Sequence, residues 1–361
     1  METNTYYYAG IDIGSTTVKL VLLNEAGEMV WGEYRRHCAH TQETLAEMMR
    51  EARKKLGACR VKVRMTGSGA ISLAEALRVG FVQEVVAVAE ALQKAAPQTD
   101  VAIELGGEDA KIIYFTGGLE ERMNGVCAGG TGSFIDQMAA LLKTDAPGLN
   151  ELAKRYHELY PIAARCGVFA KSDIQPLINQ GAKSADIAKS IYQAVVNQTI
   201  AGLAQGRPIK GHVLYLGGPL TFSKCLRQSF DETLGVTGTC PENSLLFVAL
   251  GAAFYAEESW DLLKTAELLE QRGMSETYRS QPPLFENQAE YDAFKARHAK
   301  AAVPQADFPT DYAKPVHIGI DSGSTTVKVA VIDENAELLF TDYRPNQGDP
   351  IALLKTVLLG L

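Results

Sequence analysis

The 361-residue sequence is short of basic charge and of long apolar segments. Lys and Arg number 35 against 43 Asp and Glu, which gives a formal net charge of −8 and no basic field to hold a nucleic acid. No stretch of about 18 uncharged apolar residues occurs, and the N-terminus METNTYYYAG lacks a basic region followed by an apolar run. We therefore expect neither a nucleic-acid partner nor a membrane partner, and a cytoplasmic location.

Cysteine is also scarce, with six residues in the whole chain. This number is too small for a disulfide scaffold in a chain of this length, and a reducing compartment would keep the side chains as thiols. Any function of a cysteine should therefore be metal or redox chemistry. The six are Cys38, Cys59, Cys127, Cys166, Cys225 and Cys240.

Strand-like and helix-like segments alternate along most of the chain. YYYAGIDIG, TVKLVLLN and EMVWGEYRRH predict three strands of an antiparallel meander, followed by a helix from about Thr41 to Leu56. Further strands, among them VAIELGG, AKIIYFT and HVLYLGG, alternate with apolar-periodic helices. The predicted class is α/β.

One segment occurs twice. GIDIGSTTVK begins at Gly10 and GIDSGSTTVK begins at Gly319, 309 positions later, with nine of ten residues identical. An ungapped repeat of this quality indicates duplication of a whole domain with its linker. We expect a complete module over 1–270, a polar, proline-containing linker over 271–315 and the start of a second module over 316–361. The second copy lacks a core to bury against, which suggests the front portion of a longer polypeptide.

The segment DIGSTTVK joins a carboxylate at a strand end to a glycine and three hydroxyl residues. The backbone N–H groups of such a turn hold phosphate oxygens, and Asp12 at its rim suits Mg²⁺ bound through water. A plain β-turn explains this hairpin equally well when it is taken alone. The predicted phosphate contacts are Gly14, Ser15, Thr16 and Thr17. Lys19 either reaches a phosphate or is a surface charge at a strand edge.

Three more glycine-rich turns follow: ELGGEDAK, CAGGTGSF and YLGGPLTFS. The second directly precedes a helix, whose dipole favours an anion. Four such turns in this order predict a nucleotide site. Glu104 and Asp109 flank the first of the three, where one acid would orient the attacking water and the other would steady Mg²⁺, or either would cap a turn. The other predicted nucleotide contacts are Gly106, Gly107, Gly129, Gly130, Thr131, Gly217 and Gly218.

GIDIGSTTVK, ELGGEDAK, NGVCAGGTGSFID and ARCGVFAKSDI together closely resemble a known family. It comprises the ATP-dependent activators of 2-hydroxyacyl-CoA dehydratases and the ATPase subunits of benzoyl-CoA reductases, within the superfamily of acetate and sugar kinases, heat-shock chaperone ATPases and actin. The likeness covers about residues 6–258. It implies the actin-like ATPase fold, in which two ribonuclease-H-like lobes bind ATP between them. The tandem start resembles large members in which two activator modules precede a dehydratase-related region.

The resemblance also implies a homodimer that holds one [4Fe–4S] cluster across its interface. ATP hydrolysis would drive one electron from reduced ferredoxin or flavodoxin to the iron–sulfur component of an acyl-CoA dehydratase or reductase. A cluster needs four thiolates, so Cys127 and Cys166 of two chains would supply them. Without the resemblance, these two residues would be read as buried core thiols. The nucleotide would then act on the cluster by moving the helix that begins near Thr131.

Two other functions fit the same sequence. A small-molecule kinase of the same fold would phosphorylate a sugar or a carboxylate and would need no metal cluster. A degenerate nucleotide-binding interaction module is the other, although the intact phosphate motifs argue against it. Pro219 follows the late glycine pair where the family has a small aliphatic residue, which leaves the side-chain contacts to adenosine open.

Overall fold

A computed structural model of the protein describes residues 6–57, 59–125, 128–163, 167–271, 282–309, 311–323 and 325–361. The chain forms two compact units. The first consists of Met1–Ile174 and Lys183–Gly273, and the second of Gln175–Ala182 and Met274–Leu361. Within the described residues, no helix is both long and apolar enough to cross a membrane.

Two mixed sheets organise the described part of the first unit. The first has the strand order β3-β2-β1-β4-β9 and the second has the order β7-β6-β5-β8. The strands are β1 (Tyr6–Ile13), β2 (Thr17–Leu23), β3 (Met29–Arg36), β4 (Arg60–Thr66), β5 (Val101–Leu105), β6 (Ala110–Tyr114), β7 (Glu120–Met123), β8 (Val213–Leu216) and β9 (Glu258–Trp260).

Helices cover the faces of both sheets, and a π-helical turn, Ile200–Ala204, extends one of them. They are α1 (Thr41–Leu56), α2 (Ile71–Leu77), α3 (Glu84–Ala95), α4 (Gly132–Leu141), α5 (Ala146–Ala153), α6 (Gly167–Asn179), α7 (Ser184–Thr199), α8 (Gly218–Phe222), α9 (Lys224–Leu234), α10 (Phe247–Phe254) and α11 (Leu262–Gln271). The predicted α/β class is confirmed.

The predicted antiparallel meander is confirmed at β1, β2 and β3. β4 then returns parallel to β1, a crossover that α1 makes possible. The helix begins and ends where the sequence predicts. Its buried side chains recur at helical spacing and so form one apolar face against the sheet. They are Leu45, Ala46, Met48, Met49 and Ala52.

α3 and α10 lie between the two sheets. Their side chains share one core with residues of β2, β5, β6 and β8. α10 is apolar on every side, as its sequence FVALGAAF predicts for a helix without a solvent face. It approaches β1 so closely that a Cβ atom added at Gly10 would overlap the carbonyl oxygen of Ala249. The glycine of the repeated motif therefore has a packing role in the first copy.

The second unit repeats the start of the first. The described elements are α12 (Gln288–Ala299), β10 (Val316–Ser322), β11 (Thr326–Asp333), β12 (Leu338–Pro345) and α13 (Pro350–Leu359). β10, β11 and β12 form an antiparallel meander. β10 is largely exposed: Ile320 is 47% exposed, whereas its counterpart in the first copy, Ile11, is fully buried. Among the described residues, the atom nearest to a Cβ added at Gly319 is a carbonyl oxygen of the same sheet, 3.9 Å away.

This difference predicts unequal effects for one substitution at two matched positions. Gly10→Ala is expected to destabilise the first unit by about 3 kcal/mol, because the helix must move away from the strand. Gly319→Ala is expected to change stability by less than about 0.5 kcal/mol. Both tryptophans, Trp31 and Trp260, belong to the first unit, so urea denaturation followed by tryptophan fluorescence isolates its unfolding.

Far-UV circular dichroism gives the control, because it records both units. Gly319→Ala should leave both transitions at the urea concentrations of the unsubstituted protein. Equal shifts for the two variants would contradict the close approach of α10 to β1.

Candidate functional site

Two hairpins of the same design face each other in the first unit. One joins β1 to β2 and pairs Asp12 with Lys19; the other joins β5 to β6 and pairs Glu104 with Lys111. Directly opposed residues of an antiparallel pair project from the same face. Each acid therefore lies on the same face as the lysine of its own hairpin.

The tips of the two hairpins touch. A Cβ atom added at Gly107 would overlap the side chain of Thr16, so only glycine permits this approach. His37, which follows β3, braces the first hairpin. Its Nε2 atom lies 3.2 Å from the carbonyl oxygen of Gly14, and its backbone N–H donates to the carbonyl of Thr16.

The second hairpin is fastened to the start of α4. The N–H of Gly132 donates to the carbonyl of Gly106 at 2.9 Å, and the N–H of Ser133 donates to the carbonyl of Gly107 at 2.8 Å. N–H groups in the first turn of a helix have no partner within the helix. Here the hairpin supplies the missing acceptors, so hairpin and helix are held together by their backbones.

A cavity of about 480 Å³ lies between the two hairpins and the N-terminus of α3. We call it the acidic cavity, because its described lining contains six acidic side chains and only two lysines. Such an excess of one sign attracts counter-charge. The acids are Asp12, Glu84, Glu104, Glu108, Asp109 and Glu121, and the lysines are Lys19 and Lys111.

Asp12 and Lys19 form a buried ion pair, with 2.7 Å between Nζ and Oδ2. Burial raises the pKa of Asp12, and Lys19 reverses only part of that rise. Burial would also lower the pKa of Lys19, but the carboxyl groups of Asp12 and Glu104 raise it above its ordinary value. The ammonium group is therefore charged at neutral pH.

Lys111 is almost fully buried and joins two parts of the site. Its Nζ atom contacts Oε2 of Glu84, the first residue of α3, and lies 2.6 Å from Oδ2 of Asp109. Burial would lower the pKa of Lys111, but Glu104, Asp109 and Glu84 raise it well above its ordinary value. Burial would raise the pKa of Asp109, yet the Lys111 ammonium outweighs it and the pKa is lowered. Asp109 therefore stays ionised.

Glu104 differs from the other acids of the cavity. Its Oε2 atom is buried and has no hydrogen-bond partner in the described part of the chain. Burial raises the pKa of Glu104 to about 7, with Asp109 and Glu84 adding to the effect and Lys111 opposing it. Both protonation states are therefore populated at neutral pH, which suits a group that accepts a proton during a reaction.

A second cavity, of about 320 Å³, adjoins the first. We call it the apolar cavity. Its far wall includes Leu245, Phe247 and Val248, and the rings of Tyr34 and Phe222 meet edge to face with centroids 6.2 Å apart. Aromatic and aliphatic walls of this kind suit a flat apolar group. Residues lining both cavities are Thr16, Thr17, Lys19, Glu104, Gly106 and Gly107.

Most of the residues predicted from the glycine-rich turns meet in these two cavities. Gly217 and Gly218 line the apolar cavity. The residues that line the acidic cavity are Asp12, Gly14, Ser15, Thr16, Thr17, Lys19, Glu104, Gly106, Gly107 and Asp109.

The remaining predicted residues lie elsewhere. Gly129, Gly130 and Thr131 line neither cavity; a Cβ atom at Gly130 would lie 3.2 Å from the Gln198 side chain, and the Thr131 hydroxyl donates to the carbonyl of Ala128 at 2.6 Å. Cys127 and Cys166 fall outside the described residues. The other four cysteines are free thiols, as expected.

Sequence reasoning assigned no role to Glu84, Lys111, Tyr34 or Phe222. A signal for Lys111 was present, because it follows Glu104 by the same seven positions that separate Lys19 from Asp12. Glu84 has no such signal, since it comes from a helix start outside every glycine-rich turn.

The acidic cavity can also be tested as a cation site. In the described ranges, no three His, Cys, Asp or Glu side chains come close enough to hold a metal ion together. Mg²⁺, however, keeps several waters and usually takes only one or two carboxylates plus phosphate oxygens. The Asp12 carboxylate, which lines the acidic cavity, fits a hydrated Mg²⁺ of this kind.

Comparison with known proteins adds to this geometry. Residues 9–256 match the model of the BadF/BadG/BcrA/BcrD ATPase family. The 2-hydroxyisocaproyl-CoA dehydratase activator of Clostridioides difficile is 29% identical over 256 residues, which is 69% of this chain and 94% of that protein. The (R)-2-hydroxyglutaryl-CoA dehydratase activating ATPase of Acidaminococcus fermentans is 30% identical over 255 residues, 69% of this chain and 96% of that protein.

A solved structure agrees with the sequence comparisons. The activator of the 2-hydroxyisocaproyl-CoA dehydratase from Clostridium difficile with bound ADPNP superimposes with a TM-score of 0.61 at 26% identity. The match covers 73% of this chain and 97% of that structure. The predicted actin-like ATPase fold is therefore confirmed, and the chain belongs to the BadF/BadG/BcrA/BcrD ATPase family.

Proposed function

We propose that the protein is an ATP-hydrolysing iron–sulfur activator that passes a low-potential electron to the iron–sulfur component of an acyl-CoA dehydratase or reductase. The observation that carries the proposal is the pair of backbone hydrogen bonds between the Gly106–Gly107 turn and the start of α4. They join the proposed nucleotide cleft to the helix that follows Cys127 in the sequence. The two dehydratase activators described above support the choice of partner.

ATP would lie along the cleft with its adenosine in the apolar cavity and its phosphates in the acidic cavity. The walls that carry Tyr34 and Phe222 suit the base. The hydroxyl and backbone N–H groups of Ser15, Thr16 and Thr17 would hold phosphate oxygens. The late glycine pair would let the nucleoside approach the backbone.

Hydrolysis would use two carboxyl groups in different ways. Asp12 would hold Mg²⁺ through its water ligands, and the ion would offset phosphate charge. Glu104 would orient the attacking water and accept its proton, which its unpartnered oxygen and raised pKa support. Asp109 would remain ionised as the partner of Lys111.

Cys127 and Cys166 would provide two of four thiolates for a [4Fe–4S] cluster, and a second copy of the chain would provide the others. Support comes from described neighbours. α6 begins at Gly167, directly after Cys166 in the sequence, and a Cβ atom at Gly167 would lie 3.4 Å from Phe134 of α4. The helices that follow the two cysteines therefore begin close together. In a reducing cytoplasm such thiols remain available to iron.

The coupling would run through α4. Changes at the phosphates would displace the Gly106–Gly107 turn, and two hydrogen bonds would carry that displacement to the helix. Gly129, Gly130 and Thr131 would then serve the link between cleft and cluster rather than contact the nucleotide. One electron would enter from reduced ferredoxin or flavodoxin and leave to the acceptor enzyme.

Iron analysis after anaerobic purification tests the proposal. We expect about two irons and two acid-labile sulfides per chain, equivalent to one four-iron cluster per dimer. Cys127→Ser and Cys166→Ser should each lose them. Cys225→Ser, which removes a buried free thiol near α5, is the matched control and should keep them.

The competing function is a small-molecule kinase of the same fold. An iron-free protein that, after attempted anaerobic reconstitution, transfers phosphate from ATP to a sugar or carboxylate would overturn the activator proposal in its favour. Full iron content in both Cys127→Ser and Cys166→Ser would instead disprove the assigned ligands.

A further inference from the structure

Lys111 has a position that no step of the proposed hydrolysis uses. It lines the acidic cavity but not the apolar cavity, whereas Lys19 lines both. A nucleotide whose base occupies the apolar cavity would therefore meet Lys19 first. Lys111 lies at the far end, where the last phosphate of the chain would arrive.

The charges of the acidic cavity favour a cation beside a bound terminal phosphate. Six acidic side chains and two lysines line it among the described residues. Both lysines are paired with carboxylates, Lys19 with Asp12 and Lys111 with Glu84 and Asp109. A terminal phosphate adds negative charge to this surplus. Because Lys19 lies on the wall shared with the apolar cavity, Lys111 is the described lysine placed to receive that phosphate, alongside any bound divalent ion.

The hydrogen-bonding capacity of Lys111 fits that task. An ammonium group has three N–H donors and no acceptor. In the described part of the chain, Lys111 has two acceptors, one oxygen each of Glu84 and Asp109. One donor therefore remains for a phosphate oxygen. One carboxylate comes from the first residue of α3 and the other from the turn directly before β6, so two separate segments fix the position of the ammonium before the ligand arrives.

We propose that Lys111 contacts the terminal phosphate of a nucleoside triphosphate and that this contact distinguishes triphosphate from diphosphate. Glu84 is the positioning residue that holds the ammonium in place. The inference rests on the proposed nucleotide function of the cleft. It identifies the residue by which the protein would recognise that ATP, and not ADP, is bound.

Calorimetric titration with ADPNP and with ADP, at one fixed Mg²⁺ concentration, tests the proposal. Charge-assisted hydrogen bonds contribute enough that Lys111→Met should weaken ADPNP binding by about 10- to 100-fold. ADP binding should change by less than about threefold, because its phosphates end before Lys111. An equal loss for both nucleotides, or no loss for either, would overturn the assignment.

Lys189→Met is the matched control. Lys189 is as deeply buried as Lys111 and also pairs with a carboxylate, Glu232, at 2.9 Å, but it lies outside both cavities. Its removal should leave both affinities unchanged. If Lys111→Met and Lys189→Met both lost nucleotide affinity, the loss would come from damage to the fold when methionine replaces a buried, paired lysine. The selective role of Lys111 would then be rejected.

Glu84→Gln gives a second measurement that does not depend on Lys111→Met folding. The amide holds the ammonium less strongly, so Lys111 is less well positioned and ADPNP affinity should fall severalfold while ADP affinity stays the same. An unchanged or higher ADPNP affinity, or an equal fall for ADP, would overturn the proposed positioning of Lys111. If the unsubstituted protein binds neither nucleotide, the proposed function itself fails, and this inference fails with it.

Discussion

Replacing Glu104 by glutamine is expected to lower kcat for ATP hydrolysis by about a thousandfold while nucleotide affinity stays nearly constant. Glutamine has almost the same shape but cannot accept the proton of the attacking water. The carboxylate Oε2 is buried without a hydrogen-bond partner among the described residues, so the substitution breaks no bond of the resting protein. The loss should therefore appear in kcat and not in KM.

The pH dependence follows from the raised pKa of Glu104. Because the carboxylate is the active form and its pKa in the free protein is about 7, kcat/KM should rise with pH through about 7 and then level off. Glu121→Gln is the matched control, since Glu121 lines the same cavity and burial also raises its pKa, but neither of its oxygens is both buried and unpartnered. Retention of the pH profile in Glu104→Gln, or loss of it in Glu121→Gln, would contradict the assignment.

The same substitution should stabilise the protein at alkaline pH. A carboxyl group whose pKa is raised in the folded state binds its proton more tightly there than in the unfolded chain. Its contribution to stability is therefore largest below the unfolded pKa and declines as pH rises through about 7. The cost above pH 7 is on the order of 3 kcal/mol. Glu104→Gln should remove it, and thermal unfolding at about pH 5 and pH 8, which span most of the interval between the unfolded and the folded pKa, measures the difference.

Asp12→Asn is expected to have the second-largest effect, a fall of about a hundredfold or more in kcat at ordinary Mg²⁺ concentrations. The Asp12 carboxylate is proposed to hold the hydrated ion, and an amide carries no charge to attract it. Raising free Mg²⁺ should restore part of the lost turnover. In a titration of turnover against free Mg²⁺, the weaker binding of the ion should appear as a higher Mg²⁺ concentration at half-maximal turnover, the midpoint of the titration.

The repeat supplies an internal control for Asp12→Asn. Asp321 occupies the matched position and pairs with Lys328 at 2.5 Å, but its side chain is 63% exposed. Asp321→Asn should leave turnover and its Mg²⁺ midpoint unchanged. An Asp12→Asn protein with an unaltered midpoint would argue that Asp12 serves only as the partner of Lys19.

Local chemistry made much of this molecule predictable. Alternating strands and helices, the three-stranded meander and the bounds of α1 follow from apolar periodicity and turn residues. The residues of the DIGSTTVK and ELGGEDAK turns also lie together, because each turn holds its own acid and lysine in register. These features depend on residues that are close together in the sequence, and for that reason the sequence alone could predict them.

Contacts between distant segments were beyond prediction. Glu84 reaches the cavity because α3 packs between the sheets. No residue spacing in the sequence indicates this packing. CAGGTGSF predicted helix N–H groups open to an anion. In the structure, the first of these N–H groups already donate to the carbonyls of Gly106 and Gly107. Those carbonyls are distant in sequence and come close only in the folded protein.

The contact between Gly107 and Thr16 has a mechanical consequence. Because the space between Gly107 and Thr16 has no room for even one added Cβ atom, sliding of one hairpin tip over the other is sterically opposed there. Rotation about this contact keeps it intact. α4 is attached beside the contact through Gly132 and Ser133, so a rotation of the second sheet that carries α4 with it would displace the far end of the helix more than its start.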